Sequence, residues 1–197
     1  MKVNCNDEGI RKSVEIIENG GVIIFPTDTV YGIGCNPYNA NAVKKIYQIK
    51  SREKTKSLPV LASSIEIVKQ ITIMDEFTEK IVKKYWPGPL TLILKLKDKN
   101  LKKSLNLEDK IAVRIPNSVC TLKLLNKCNL IVGTSANVSG DSSFTNPQEC
   151  IKNIKNYDVF VDGGTITSKG ESTIIEIENE KIHVIREGAL KKEDIVI

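Results

Sequence analysis

Val22-Ile23-Ile24-Phe25 runs without a polar residue and passes directly into Pro26-Thr27-Asp28-Thr29-Val30-Tyr31-Gly32-Ile33-Gly34. An apolar run this short, bounded by Gly20-Gly21 before it and a proline after it, reads as a strand buried on both faces. The segment beyond it carries small hydroxyl residues and two glycines at the strand's carboxyl end, a composition that permits close approach by a ligand. It contains neither the G-x-x-x-x-G-K phosphate loop nor the G-x-G-x-x-G dinucleotide pattern. An ordinary turn, with Thr and Asp satisfying their own backbone, fits the same composition, so both readings stand at this point.

Outward from that strand, helical and strand patterns alternate. Ile10, Val14 and Ile17 recur at helical spacing over residues 10–19, and Gly20-Gly21 ends that helix. Asn39 is placed to cap a helix carrying Ala42, Val43, Ile46 and Ile49. Leu58 to Ala62 reads as a second buried strand, and Ser63-Ser64-Ile65-Glu66 as a capping box opening a short helix. Asp75 opens a helix through Trp86, closed by Pro87-Gly88-Pro89; Leu90 to Leu96 reads as a strand and Lys97 to Lys110 as a charged loop. Further strands are expected at Ile111 to Ile115, Leu130 to Gly133, Val159 to Val161, Thr173 to Ile177 and Ile182 to Ile185, the last two forming a hairpin. Helices near 118–126 and 147–154 lie between them, the second with Pro147 in its first turn. The expectation is one α/β domain over residues 1–197, with an open, twisted, mixed sheet and flanking helices.

Composition narrows the class. The 197 residues carry 29 Lys+Arg against 24 Asp+Glu, a formal charge of +5, and 41% are hydrophobic. Those values are ordinary for a folded domain and exclude a disordered tail. No apolar run reaches the roughly 18–20 residues of a membrane helix. The opening MKVNCNDEGIRK lacks the apolar segment of a secretory signal, so a cytoplasmic protein is expected. Of the cations only four are arginine, Arg11, Arg52, Arg114 and Arg186, against 25 Lys. A chain that writes Lys almost everywhere and keeps a few Arg has use for planar, forked donors at those points.

Cys5, Cys35, Cys120, Cys128 and Cys150 are an odd set without a C-x-x-C pair, so neither a disulfide framework nor a zinc site is expected. Free, small, apolar thiols in a reducing compartment are. His183 is the one histidine and sits in a strand pattern, which leaves His-based triads and His-rich metal sites out.

Three other segments stand apart. Lys50-Ser51-Arg52-Glu53-Lys54-Thr55-Lys56-Ser57 is a basic loop, either solvated or placed to clamp a triphosphate. Thr134-Ser135-Ala136-Asn137-Val138-Ser139-Gly140 follows a buried strand and can form an anion-binding nest. Arg114 lies inside the apolar Ile111-Ala112-Val113-Arg114-Ile115, where an unpaired cation is costly, so it requires an acidic partner or an anionic ligand. Arg186 ends the last strand with Glu187 beside it as a structural partner.

Taken in order, these segments resemble the YrdC-type family of threonylcarbamoyl-AMP synthases. The resemblance runs from about residue 10 to about 190 through PTDTVYGIG, K-S-R with Lys56 four residues on, WPGPLT at 86–91, AVRIP at 112–116, TSANVSG at 134–140, STII at 172–175 and REGAL at 186–190. It implies an open α/β fold with a large basic cavity. It further implies an L-threonylcarbamoyladenylate synthase, a nucleotidyltransferase acting on L-threonine, bicarbonate or CO2, and ATP. ATP would be a substrate, accompanied by Mg2+, with no protein-held metal. The product would pass to a transferase complex modifying tRNA beside the anticodon. Longer family members carry an extra carboxyl-terminal domain, and this chain is expected to be the short form.

The resemblance implies Thr29, Arg114 and Ser172 as threonine contacts and Arg52, Lys56, Ser135, Ser143 and Arg186 as ATP contacts. Lys50, Arg52 and Asn137 would form the catalytic group, and Lys110 falls at a position that contacts nucleotide in relatives. Glu53, Ser57 and Glu187 depart from the prolines common there, and the two glutamates add negative charge near the phosphate site. Two rivals remain. One is a non-catalytic RNA-binding module, with weak RNA binding by the basic surface; the chain's 10 aromatics and lack of an RNA-recognition motif speak against it. The other is a carbamoyl-adenylate step within a larger maturation enzyme, whose zinc-finger and acyl-phosphatase-like segments this sequence lacks.

Overall fold

The structure, a computed structural model, describes residues 1–196. Strand β1 (Lys2–Asn4) leads into α1 (Asp7–Glu18), whose N-cap Asn6 accepts from the Gly9 N–H. Then come β2 (Ile23–Pro26), β3 (Tyr31–Gly34) and α2 (Ala40–Ile49), the last capped by Asn39 as expected. β4 (Val60–Ala62), α3 (Ile65–Ile71), β5 (Thr72–Ile73), α4 (Glu76–Tyr85) and β6 (Leu90–Leu96) follow. The second half holds α5 (Lys99–Ser104), β7 (Lys110–Arg114), α6 (Val119–Cys128), β8 (Leu130–Val132), β9 (Thr134–Ser135) and α7 (Pro147–Asn153). It ends with β10 (Val159–Asp162), β11 (Thr173–Glu178), β12 (Lys181–Arg186) and a 3-10 turn at Lys192–Asp194. Among the described residues no helix is long and apolar enough to cross a membrane.

The α/β class and the mixed pairing are as expected, but the strands divide between two sheets. One runs β1-β10-β2-β3-β9 and the other β12-β11-β6-β7-β4-β8, with β5 beside β6. The first is parallel from β1 through β2 and antiparallel onward to β9. They meet where the Val132 N–H donates to the Cys35 carbonyl. Gly34 is required at that seam, since a Cβ there would lie 1.9 Å from the Val132 carbonyl oxygen.

Besides the short strands β1, β5 and β9, which the sequence reading lacks, three segments differ from it. Tyr31 to Gly34, read as part of a loop, is strand β3, buried throughout and antiparallel to β2. The charged stretch 97–110 contains α5, because Asp98 caps it by accepting from the Asn100 and Leu101 N–H groups and Leu101 is fully buried. Helix α3 is capped by Ser64 rather than by a box from Ser63. The expected hairpin forms as β11–β12, with Asn179 and Glu180 both at positive φ in its two-residue turn.

The thiol expectation is corrected for one pair. Cys5 and Cys120 are disulfide-bonded, their Cα atoms 5.8 Å apart across 115 residues of sequence. Packing of α1 against α6 brings them together, which spacing along the chain does not reveal. Cys35, Cys128 and Cys150 are free, and burial pushes the Cys35 and Cys150 thiols up to about 12.

Candidate active site

A cavity of about 350 Å³ lies over the second sheet, walled by the β2–β3 turn and β9 of the first. Its floor follows from strand register. Leu61 of β4 is paired with Arg114 of β7, Thr91 of β6 with Ile174 of β11, and Ile174 with Arg186 of β12. Register between β6 and β7 sets Thr91 beside Arg114, so these residues form one row across the sheet. Every one of them lines the cavity, because side chains level with each other across a sheet share a face. The two arginines therefore stand three strand spacings apart, roughly 14 Å between backbones.

At one end, the Arg114 side chain is 6% exposed and paired with Asp28, itself 13% exposed. The guanidinium Nη2 donates to Asp28 Oδ1 and Nη1 to Thr29 Oγ1 at 3.0 Å, while Nε is buried without a partner. A tight turn aims both acceptors. Thr27 Oγ1 donates to the Val30 carbonyl at 2.6 Å and accepts from the Thr29 and Val30 N–H groups. From below, the hydroxyls of Ser118, the N-cap of α6, and of Thr121 in its first turn donate to the Pro26 carbonyl. Burial pushes the Arg114 guanidinium below its ordinary value, the Asp28 carboxylate opposes this, and the charge of Arg186 adds to the fall. The acidic partner that the sequence required of Arg114 is Asp28.

At the other end, Arg186 donates through Nη1 to Glu171 and through Nη2 to the Ser172 carbonyl at 2.8 Å. Ser172 Oγ also accepts from Thr91 Oγ1 at 2.9 Å. Glu171, not Glu187, is thus the partner of Arg186; Glu187 bonds Lys191 instead. Arg52 Nε and Nη2 donate to the Lys56 and Ser57 carbonyls at 2.9 and 3.0 Å, closing the 50–57 loop on itself. Glu53 does place its charge near the cavity, 3.4 Å from Lys56 Nζ. Arg52, Lys56, Arg114 and Arg186 line the cavity against one carboxylate, Glu171. That arrangement suits a polyanion at one end and a single carboxylate at the other.

Of the residues the sequence singled out, Thr29, Arg52, Lys56, Arg114, Ser135, Ser172 and Arg186 line this cavity. Lys50, Asn137 and Ser143 do not. Lys50 is 2% exposed, and its ammonium donates to the Ser135 and Asn137 carbonyls and to Asn137 Oδ1. Asn137 Nδ2 in turn donates to the Asp141 carbonyl at 2.6 Å. With its three donors engaged, Lys50 stands behind the wall, so of the expected catalytic group Lys50, Arg52 and Asn137 only Arg52 lines the cavity. Three backbone donors of the expected anion nest are engaged as well. The Ala136, Asn137 and Ser139 N–H groups already donate to the Tyr31, Ser135 and Lys50 carbonyls. Lys110 pairs with Glu176 and Glu178 on β11, away from the cavity.

Asp28, Glu171 and Thr91 are among the polar residues that sequence reasoning left without a role. Asp28 and Thr91 lay within quoted motifs, but their partners are distant in sequence: Asp28 is 86 residues from Arg114 and Thr91 is 81 from Ser172. The apolar wall of Leu61, Ile93, Ile174 and Ile185 had no signal separate from strand periodicity.

The chain is similar to known proteins over most of its length. Residues 15–188 match the family model Sua5_yciO_yrdC, described as "Telomere recombination". A protein of Methanocaldococcus jannaschii is 36% identical over 190 residues, which cover 94% of this chain and 90% of that one. The threonylcarbamoyl-AMP synthase of Bacillus subtilis is 32% identical over 198 residues, covering 98% of this chain and 57% of that one. The crystal structure of P. abyssi Sua5 complexed with L-threonine superposes with a TM-score of 0.92 at 31% identity. It covers 99% of this chain and 59% of that chain. The chain thus spans nearly all of the first relative and somewhat over half of the other two.

Proposed function

The chain belongs to the Sua5–YciO–YrdC family, and from that premise we propose that it is an L-threonylcarbamoyladenylate synthase. It forms threonylcarbamoyl-AMP and pyrophosphate from L-threonine, bicarbonate or CO2, and ATP. The observation that carries this reading is the row across the sheet. One end offers an arginine held by Asp28 and Thr29 with its Nε–H unpartnered, the other offers Arg186, and Arg52 and Lys56 line the same cavity.

Arg114 and Thr29 take the amino-acid carboxylate, and Ser172 faces the substrate from across the floor. Arg52, Lys56, Arg186 and Ser135 take the triphosphate. The threonine amine adds to CO2 to give a carbamate, a step that needs positioning more than a strong nucleophile. A carbamate oxygen then attacks the α-phosphorus and pyrophosphate leaves. Charge develops on phosphate oxygens, where fixed guanidinium donors stabilise it without reorganising. No covalent intermediate on the protein is required.

The cavity does not fit a protein-held Mg2+. Its one carboxylate is engaged by Arg186, and no group of three potential metal-ligating side chains occurs among the described residues. A magnesium ion would arrive on the triphosphate and be held by its oxygens. Residues 1–197 act as one domain in this scheme, working in the cytoplasm where tRNA is modified and passing the adenylate to a separate transferase complex. Neither sulfur of the Cys5–Cys120 bond lines the site. The RNA-binding module is not favoured, because the cavity's cations are held inward by its own acids and carbonyls.

Arg52→Ala tests the phosphate clamp. It should abolish threonine- and bicarbonate-dependent pyrophosphate release while the far-ultraviolet circular dichroism stays that of the wild type. Full activity in the variant would sink the assignment.

A further inference from the structure

Asp28 contributes no surface to the cavity, yet it pairs with a side chain that does. It is held by the same hydroxyl-organised turn that presents Thr29, so one tripeptide grips two nitrogens of Arg114. Arg114 cannot settle its charge elsewhere. It sits in a central strand between β4 and β6, and its nearest charged neighbour across the floor is the cationic Arg186. Arginine has five N–H donors. Asp28 and Thr29 account for the two hydrogen bonds it makes, which leaves further guanidinium N–H donors for a ligand.

We propose that Asp28 is a positioning residue for amino-acid recognition: its buried carboxylate fixes the Arg114 guanidinium so that the unused donors meet the substrate carboxylate. This rests on the reading that Arg114 binds that carboxylate. Two physical consequences follow. A fixed guanidinium loses little freedom on binding, which is where preorganised sites gain affinity. The negative charge of Asp28 also offsets that of Arg114, which lowers the positive potential at this end and suits a single carboxylate there.

The test is steady-state kinetics of pyrophosphate release, with KM for threonine and KM for ATP measured separately in Asp28→Ala and Asp28→Asn. Asp28→Ala frees the guanidinium and should raise the threonine KM by about tenfold to a hundredfold. The ATP KM should move by no more than about twofold, a split that a general loss of structure does not produce. Asp28→Asn keeps an Oδ1 acceptor at the same place and should recover most of the threonine KM. A folded Asp28→Ala variant with the wild-type threonine KM, or with both KM values raised alike, overturns the proposal. Should Asp28→Ala fail to fold, Asp28→Glu retains the charge and displaces it by one methylene. It should show the same split, and wild-type KM values in it overturn the proposal equally. Arg114→Lys separates the two levels. If it leaves the threonine KM unchanged, the reading of Arg114 falls and takes the proposal with it. If Arg114→Lys raises that KM and no Asp28 variant does, the proposal alone falls.

Discussion

Lys50 faces the Ser135 and Asn137 carbonyls with an almost fully buried ammonium. Burial, and secondarily the charge of Arg52, pushes its pKa down from 10.5 to about 8, against an upward pull from Glu171. Between those two pH values the unfolded chain holds a proton that the folded chain has released. The contribution of Lys50 to stability therefore rises with pH across that window and is flat below it. Urea denaturation of the wild type and Lys50→Met from pH 7 to 10.5 checks this. The stability difference should shift in favour of the wild type by about 3 kcal/mol at most; a difference independent of pH contradicts the assignment. At this scale the sequence was informative wherever a residue type broke with its surroundings. An arginine among Ile, Ala and Val has to be compensated, and it is. What compensates it was hidden, because Asp28 meets Arg114 only after two sheets have formed. The family motif marked Lys50 and Asn137 as members of the site but not the side of the wall on which they stand.

Thr173 opens β11 and ties down the segment after β12. Its Oγ1 donates to the Leu190 carbonyl at 2.6 Å and accepts from the Gly188 and Leu190 N–H groups, each at 3.0 Å. That knot fixes the chain just beyond Arg186 and so helps to aim it. Thr173→Val would leave the three backbone groups without their partner in a fully buried place, and should cost about 2–3 kcal/mol. Thermal unfolding measures the loss, and the ATP KM should rise with it; an unchanged melting temperature would show that the knot is dispensable. Most elements of this length or longer were legible, the charged α5 excepted. β6 spans the residues its apolar pattern marked, and Asn39, Asp75 and Pro147 stand where helix-start chemistry puts them. β5 and β9, two residues each, carry no periodicity to read, and β3 was masked by glycines that suit a loop equally well. The division into two sheets rests on those short strands, so it was not visible either.

Across the whole molecule, charge is distributed in two ways. Lysines form partly exposed surface pairs such as Lys12–Glu8 and Lys102–Asp109, which solvent screens and which add little to stability. Three of the four arginines line the cavity, while Arg11 lies 3.9 Å from Glu15 on the surface of α1. The scarcity of arginine in the sequence thus marks one place in the fold. Two sheets meeting at Gly34 create that place, and cross-strand register spaces its two cationic ends. The central claim is that a carboxylate at one end and a triphosphate at the other are joined through a carbamate between them. Mass spectrometry of the small molecules formed when the protein is incubated with ATP, L-threonine and bicarbonate tests it most directly. Threonylcarbamoyl adenylate should appear together with pyrophosphate and should be absent when any one of the three is omitted. ATP turnover without the adduct, or salt-dependent tRNA binding with no turnover at all, would contradict it.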